Sequence, residues 1–371
     1  MPRKILLFVP GYYGSMLKEE RTGAVRWAKA SNFLLSQKGL SQNIPGTKIG
    51  SFKKLVPAGI LKNVVVVPRY WDVDSYGKTL SQLEIFTKEN QIELATVDYD
   101  WRDDFVDCLK VIDQKIKSFN LQDSDELYVL CHSMGALLMS YYLRYGAQDV
   151  DHATENWEGL RHVKKAALIA PPLHGLMILF RDMETGTRLA LNRKLLSNLD
   201  YSTFRSSYFF LPPKGEDVGM EKNGQRHSLG IHDIEKWQKN LWGPFKHARP
   251  DEQKAVREFV EKMMERSTKF HALLRAPVLV RPSVKIPLLH IRGLGHKTLE
   301  IATLYRSKDR LNYRFTKQGA VDGDGTVTAV SGASLAYFNV FDFNGIDSRL
   351  GHLDVLARPE SQKIIQDFLK K

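Results

Sequence analysis

Cysteine is nearly missing from this 371-residue chain, which holds two, Cys108 and Cys131. That excludes a disulfide framework, and their apolar settings predict free thiols in a reducing compartment. Long hydrophobic runs are missing as well. The stretch from Ala166 to Phe180 is interrupted by Pro171-Pro172 and His174, too soon for a membrane span. At the N-terminus a short basic segment precedes Ile5 to Val9, and Pro10-Gly11 ends that run before a signal-peptide core is complete. The expected placement is cytoplasmic, in solution or peripheral at a membrane. Internal repeats, low-complexity tracts and Gly/Ser linkers are also absent, so one domain over residues 1–371 is expected, with lobes inserted into it.

Negative charge is in short supply. Lysine and arginine number 54 against 42 acidic residues, a net charge of +12 that favours anionic partners. Zinc-finger, RRM, KH and recognition-helix signatures are all lacking, which argues against nucleic acid. An anionic membrane surface remains, or a solvated lysine-rich face. Cofactor and metal motifs fail in detail. Gly293-Leu-Gly-His-Lys297-Thr298 ends like a Walker A loop but lacks the first glycine and the Gly-Lys pair. Asp322-Gly-Asp324-Gly325 opens like a calcium loop but lacks its closing glutamate. Neither a cofactor nor a metal is expected.

What is present centres on Glu126 to Ser140. Leu127 to Cys131 reads as a buried strand, His132-Ser133-Met134-Gly135 as a sharp turn, and Ala136 to about Gly146 as a buried helix. Strand, one serine at a peak, and helix make a nucleophile elbow, whose pattern is Gly-x-Ser-x-Gly. Gly135 fits that pattern. Cys131 stands at the first glycine, a small and readily buried replacement. The elbow makes Ser133 the nucleophile and the Met134 N–H an oxyanion donor.

The rest of the chain supplies the frame. A strand from Lys4 to Val9 runs into Pro10-Gly-Tyr12-Tyr-Gly-Ser15, a glycine-rich loop whose Tyr12 N–H is the best candidate for the second oxyanion donor. Helices are expected over 74–88 and 103–119, strands over 92–97 and 165–170. This β-α-β-α-β rhythm predicts a mostly parallel sheet with helices on both faces. Residues 17–70 interrupt it as an inserted lobe. Within them aliphatic and lysine residues interleave from Lys48 to Lys62, suited to dipping into a lipid interface or to packing on the core. Residues 171–285 interrupt it again as a cap, with a helix over 252–266. The sheet is expected to resume at 286–292, 312–316 and 337–343, before a final helix over 359–370.

A serine hydroxyl is a weak nucleophile unless a base takes its proton and an acid orients that base. In this fold the chain order is serine, acid, histidine. Of eleven histidines, His352 alone lies beyond the late Asp-rich loop, in Leu350-Gly-His352-Leu-Asp354. The acid is expected in Val321-Asp322-Gly-Asp324-Gly-Thr-Val327.

In order along the chain stand Val9-Pro-Gly-Tyr-Tyr-Gly-Ser15, Tyr99-Asp-Trp-Arg102, His132-Ser-Met-Gly135, Ala170-Pro-Pro172, Ser206-Ser-Tyr-Phe-Phe-Leu-Pro212, Asp322-Gly-Asp-Gly-Thr-Val327 and Gly351-His352. This set resembles the lecithin:cholesterol acyltransferase family of α/β-hydrolases. The resemblance implies Ser133 as nucleophile, Asp324 as acid and His352 as base, with Tyr12 and Met134 as oxyanion donors. It implies a serine acyl hydrolase or acyltransferase acting on glycerolipid esters, phospholipids among them, through an acyl-enzyme. Departures are Cys131, Ala136 after the elbow glycine, the lack of paired cysteines under a lid, and the lack of a signal peptide. A cytosolic carboxylesterase or thioesterase of soluble substrates, and a non-catalytic membrane-binding protein, are the alternatives.

Overall fold

The computed structural model describes residues 2–28, 39–67, 71–189, 192–220, 224–307, 310–315 and 319–371. Six strands form a central sheet: β1 (Lys4–Val9), β2 (Glu93–Thr96), β3 (Glu126–His132), β4 (Val163–Ile169), β5 (Pro287–Gly293) and β6 (Asp342–Ser348). Their order is β6-β5-β4-β3-β1-β2, and every pairing is parallel. The helices that matter for the site are α1 (Gly77–Glu89), α2 (Phe105–Ser118), α3 (Met134–Tyr145), α4 (Met177–Thr185), α5 (Gln253–Arg275) and α6 (Pro359–Lys370).

A parallel sheet needs both faces covered, and the strand residues alternate between two cores accordingly. Leu7, Val9, Val129, Cys131 and Leu168 join the core under α2, α3 and α5, whereas Leu6, Phe8, Leu130, Ala167 and Ile291 join the one under α1 and α6. With β2 on one side of β1 and β3 on the other, the connections reverse direction there. A crevice opens at that point beyond the strands' carboxyl ends. The loop after β1 and the turn after β3 meet in it.

Three sequence expectations need correction. The run Tyr337 to Phe343 is not the last strand: Ala336–Val340 is a 3-10 turn whose Tyr337 and Phe338 bury in the core, and Asp342–Ser348 is the strand. That strand is an edge with mostly exposed side chains, so hydrophobicity marks the anchor beside it rather than the strand. The strand expected at 312–316 is not in the central sheet. Arg310–Arg314 pairs antiparallel with Ile301–Ser307, in a small sheet with Val218–Met220 and Arg226–Ser228. Thr316 lies outside the described residues. The helix expected over 252–266 continues to Arg275, because Phe270 and Leu274 extend its buried face.

Within 17–70, Ser15–Glu19, Val25–Trp27 and Leu55–Ile60 form an antiparallel sheet, and Asn63–Val67 pairs with Trp71–Asp74. Residues 29–38 and 68–70 of that stretch lie outside the described residues. Of the aliphatic–lysine segment, Phe52 is 74% exposed, but Ile49, Leu55, Ile60 and Leu61 are buried. Most of its apolar side chains therefore face the protein rather than solvent. Lys53 and Lys54 pair with Glu19 and Glu20. Beyond β4, the described residues of 171–252 form short helices and strands. α5 then packs on α3 and leads the chain back to β5. Among the described residues no helix is long and apolar enough to cross a membrane.

Candidate active site

Ser133 stands between β3 and α3 with φ 51°, a positive value that non-glycine residues seldom adopt. The turn is tight enough that two neighbours must be glycine. A Cβ at Gly135 would lie 2.5 Å from the Pro10 carbonyl oxygen, and one at Gly11 would lie 2.9 Å from Ser133 Cβ. These close approaches press the loop after β1 against the serine. Cys131 pairs with Val9 and Leu168 in the sheet, and its side chain joins the α3-side core. The position accepts a small side chain because that side chain points inward, away from the turn.

His352 Nε2 lies 2.9 Å from Ser133 Oγ, and His352 Nδ1 lies 2.7 Å from Asp324 Oδ2. The other carboxylate oxygen of Asp324 accepts from the amides of Thr326 at 2.9 Å and Val327 at 2.7 Å. Burial pushes the Asp324 carboxyl up, but the neighbouring imidazole and those two amides outweigh it and hold the group below the usual range. Gly293 at the end of β5 makes the room, since a Cβ there would lie 2.3 Å from Asp324 Cβ. Asp322 does not touch His352. Its carboxylate accepts from the amides of Gly295 and Gly323 and shapes the loop.

Met134 is the first residue of α3, so its N–H has no acceptor within the helix. The Tyr12 N–H lies in the turn closed by Gly14 N–H donating to the Gly11 carbonyl at 3.0 Å. Neither amide has a hydrogen-bond partner among the described residues. Sequence reasoning missed what braces this loop. The Tyr99 hydroxyl donates to the Pro10 carbonyl at 2.6 Å and Trp101 Nε1 to the Ser15 carbonyl at 3.0 Å, while Arg102 holds the inserted lobe through the Leu40 carbonyl at 2.6 Å. The unusual Tyr-Asp-Trp-Arg cluster after β2 was the available signal. Tyr76 and His132 were missed as well. The Tyr76 hydroxyl contacts Gly11 N and His132 Nδ1, and His132 Nε2 contacts the His352 carbonyl.

A cavity of about 780 Å³ opens at Ser133 and His352. Trp27, Leu61, Leu176, Ile178, Leu179 and Phe210 give it an apolar wall. A polar cluster joins them: Arg181 pairs with Asp182, and the hydroxyls of Tyr13, Tyr201 and Thr187 form a chain. Burial pushes the Asp182 carboxyl up to about 6, with Arg181 opposing. Among the described residues no group of three or more His, Cys, Asp or Glu is arranged to hold a metal ion.

Over residues 15–271 the sequence matches the lecithin:cholesterol acyltransferase family, well over half of the chain. The chain belongs to the lecithin:cholesterol acyltransferase family. The matched stretch carries Ser133 and the Tyr99–Arg102 brace, whereas Asp324 and His352 fall beyond it. No curated protein sequence matches the chain. Among solved structures, the Tle4–Tli4 complex is similar over 100% of this chain and 98% of that one, at 11% identity and a TM-score of 0.60. A mature lipase of Bacillus licheniformis, BlEst2, aligns over 100% and 93% of the two chains at 9% identity, with a TM-score of 0.40. The parallel sheet, its helices on both faces and the elbow after β3 make the fold an α/β-hydrolase. Family and fold together support serine ester chemistry on a lipid ester, as hydrolase or acyltransferase.

Proposed function

We propose that this member of the lecithin:cholesterol acyltransferase family is a serine acyl hydrolase or O-acyltransferase of glycerolipid esters, phospholipids among them, working through an acyl-enzyme. The observation that carries the reading is the continuous chain Ser133 Oγ, His352 Nε2, His352 Nδ1, Asp324 Oδ2, with links of 2.9 and 2.7 Å, at the mouth of an apolar cavity. Ser133 Oγ attacks the ester carbonyl while His352 Nε2 takes its proton. Asp324 accepts from Nδ1–H, which fixes the tautomer and steadies the imidazolium that forms. The amides of Tyr12 and Met134 receive the oxyanion, each supplying about 3 kcal/mol of transition-state stabilisation. His352 then protonates the departing alcohol, leaving the acyl group on Ser133. Water or a second alcohol, deprotonated by the same imidazole, releases it.

Lipid is favoured over a small soluble ester because the cavity wall is apolar and its volume is large enough for an acyl chain. Residues 171–285 act as the cap of that cavity, with Leu176, Ile178, Leu179 and Phe210 on its wall, and the 17–70 lobe supplies Trp27 and Leu61. The enzyme works in the cytoplasm and meets lipid as a peripheral protein at an anionic surface. One observation favours the soluble-ester alternative. Leu55 is buried, and Lys53 and Lys54 are already paired with acids, so that stretch offers lipid little beyond Phe52. A fluorophosphonate probe should label the wild type and not Ser133→Ala. Labelling of both proteins alike would sink the nucleophile assignment. Turnover of mixed phospholipid and diacylglycerol vesicles, followed by mass spectrometry, separates hydrolysis from transfer; no turnover of any vesicle lipid would return the soluble-ester alternative.

A further inference from the structure

The proposed reaction leaves one buried chain of groups unused. The Tyr76 hydroxyl oxygen lies 2.8 Å from the Gly11 nitrogen and 2.8 Å from His132 Nδ1, and His132 Nε2 lies 2.9 Å from the His352 carbonyl oxygen. Every proton in it follows by elimination. A carbonyl only accepts, so His132 Nε2 bears hydrogen. Burial pushes the His132 imidazole down to about 3, which keeps it neutral and leaves Nδ1 a bare acceptor. The Tyr76 O–H therefore donates to Nδ1, and its oxygen accepts from Gly11 N–H. The chain runs without a break from the loop after β1, through the last residue of β3, to the loop after β6.

Its two ends are the places where the reaction needs precision. At one end the pinned amide is Gly11, the residue before the Tyr12 N–H. At the other, the His352 backbone is held from both sides: its N–H donates to the Asp324 carbonyl at 3.0 Å, and its carbonyl accepts from His132. Neither Tyr76 nor His132 has a hydrogen bond to Ser133 Oγ among the described residues. We propose that Tyr76 and His132 are positioning residues that lock the oxyanion loop and the base loop into one register. The proposal rests on the roles given above to Ser133, His352 and the Tyr12 amide. A buried polar pair that merely satisfies itself would show in stability alone. A positioning pair shows in the transition state, where a displacement of about 1 Å costs up to about a hundredfold.

Tyr76→Phe removes one oxygen and keeps the ring. With p-nitrophenyl butyrate, kcat should fall by about tenfold to a hundredfold while KM stays within about twofold. His132→Asn keeps an acceptor near Nδ1 but loses the donor to His352; His132→Gln keeps the donor and should recover part of the lost kcat. The double variant Tyr76→Phe/His132→Asn should fall little further than the worse single change, because the links act in series. The inhibition constant of an alkyl boronic acid, a tetrahedral analogue, should rise in step with the loss of kcat/KM. Thermal melting shows that each variant is folded. Lowered melting temperatures with kcat within about twofold of wild type would overturn the proposal, provided that Ser133→Ala is inactive. A fully active Ser133→Ala would instead overturn the reading beneath it, and this proposal too.

Discussion

The central sheet and the lobes over its carboxyl edge are held by different physics. In the sheet, β1, β3, β4 and β5 each pair on both sides, and their interior side chains are wholly buried. Ser133 leaves directly from the end of such a strand, and Asp324 packs against Gly293 at the end of another. In the lobes the sheets are small and the anchors are individual polar side chains. Arg102 reaches the Leu40 carbonyl, Arg144 reaches the carbonyls of Leu273, Ala276 and Pro277, and Arg266 joins Asp104 to Asp149 and Asp151. A ladder distributes error over many bonds, whereas an anchor concentrates it in one. Ser133 sits directly on the first kind of support, and Asp324 and His352 stand on loops that abut it. The residues that shape the ligand space sit largely on the second.

Five changes test that contrast, taken from the largest effect downward. Asp324→Asn strikes a group held from the sheet, and kcat should fall by about 10³–10⁴ with little change in folding. Asp322→Asn, two residues away but outside the hydrogen-bond chain, should cost no more than about tenfold. Steady-state kinetics of the pair decides it, and equal losses would remove the acid assignment. Arg266→Met breaks an anchor instead and leaves the buried Asp104 carboxylate without its guanidinium. Urea unfolding should show a loss of about 2–3 kcal/mol, with turnover of the folded enzyme nearly unchanged. A large drop in kcat would mean that the anchors also position the chemistry.

Acid should erode stability through buried imidazoles. His132 and His271 are pushed down to about 3, and His290 to about 4, in each case chiefly by burial. The unfolded chain takes up protons from about pH 6.5 downward while these sites stay neutral, so each contributes a loss as pH falls, at most about 1.4 kcal/mol per pH unit. Asp103 and Asp182, both raised to about 6 by burial, work in the opposite sense between about pH 4 and 6, since there the folded state holds the extra protons. Burial also lowers His162, His174, His232 and His247 and raises Glu184, Asp200 and Glu300, so seven imidazoles against five carboxyls leave a net decline. His271→Gln, which keeps a donor for the Phe209 carbonyl, should make the melting temperature less sensitive to pH from 6.5 to 4.5. An unaltered slope would mean that His271 takes up its proton alike in the folded and the unfolded chain.

Phe52→Ser is the mildest change. At an exposed position it should alter stability by less than about 0.5 kcal/mol, while weakening sedimentation with anionic liposomes. Unchanged sedimentation would place membrane contact elsewhere. Leu55→Ser is no substitute for it, because Leu55 is buried and a serine there destabilises the core.

Much of the frame could be read from the sequence because its signals are local. β1, β3 and β4 are short apolar runs, α2 carries Phe105, Cys108, Leu109, Ile112 and Ile116 on one face, and Ser133 sits in a compact strand-turn-helix pattern. His352 stood out by position in the chain order, and the acid loop by its run of Asp and Gly. The rest depends on partners far apart in the chain. Tyr76 meets Gly11 and His132, and His132 meets His352, with no spacing that marks them. Strand β6 is polar because it is an edge, so periodicity passed it over for the aromatic turn beside it. Leu55 follows two lysines, a pattern that suits lipid contact or core packing alike, and the antiparallel pairing with Glu19 turns it inward.

The pairing of β4 with β5 has a consequence for how such an enzyme changes. Ile169 and Ile291 lie side by side in register, although the chain travels through residues 171–252 and then α5 between them. To the sheet, that excursion is a guest housed between two fixed doorposts. A longer, shorter or wholly different guest would meet the same doorposts, and the host would still bring Ser133, Asp324 and His352 together. Re-addressing that centre from one ester to another then amounts to fitting a new guest against the wall that Trp27 and Leu61 keep in place.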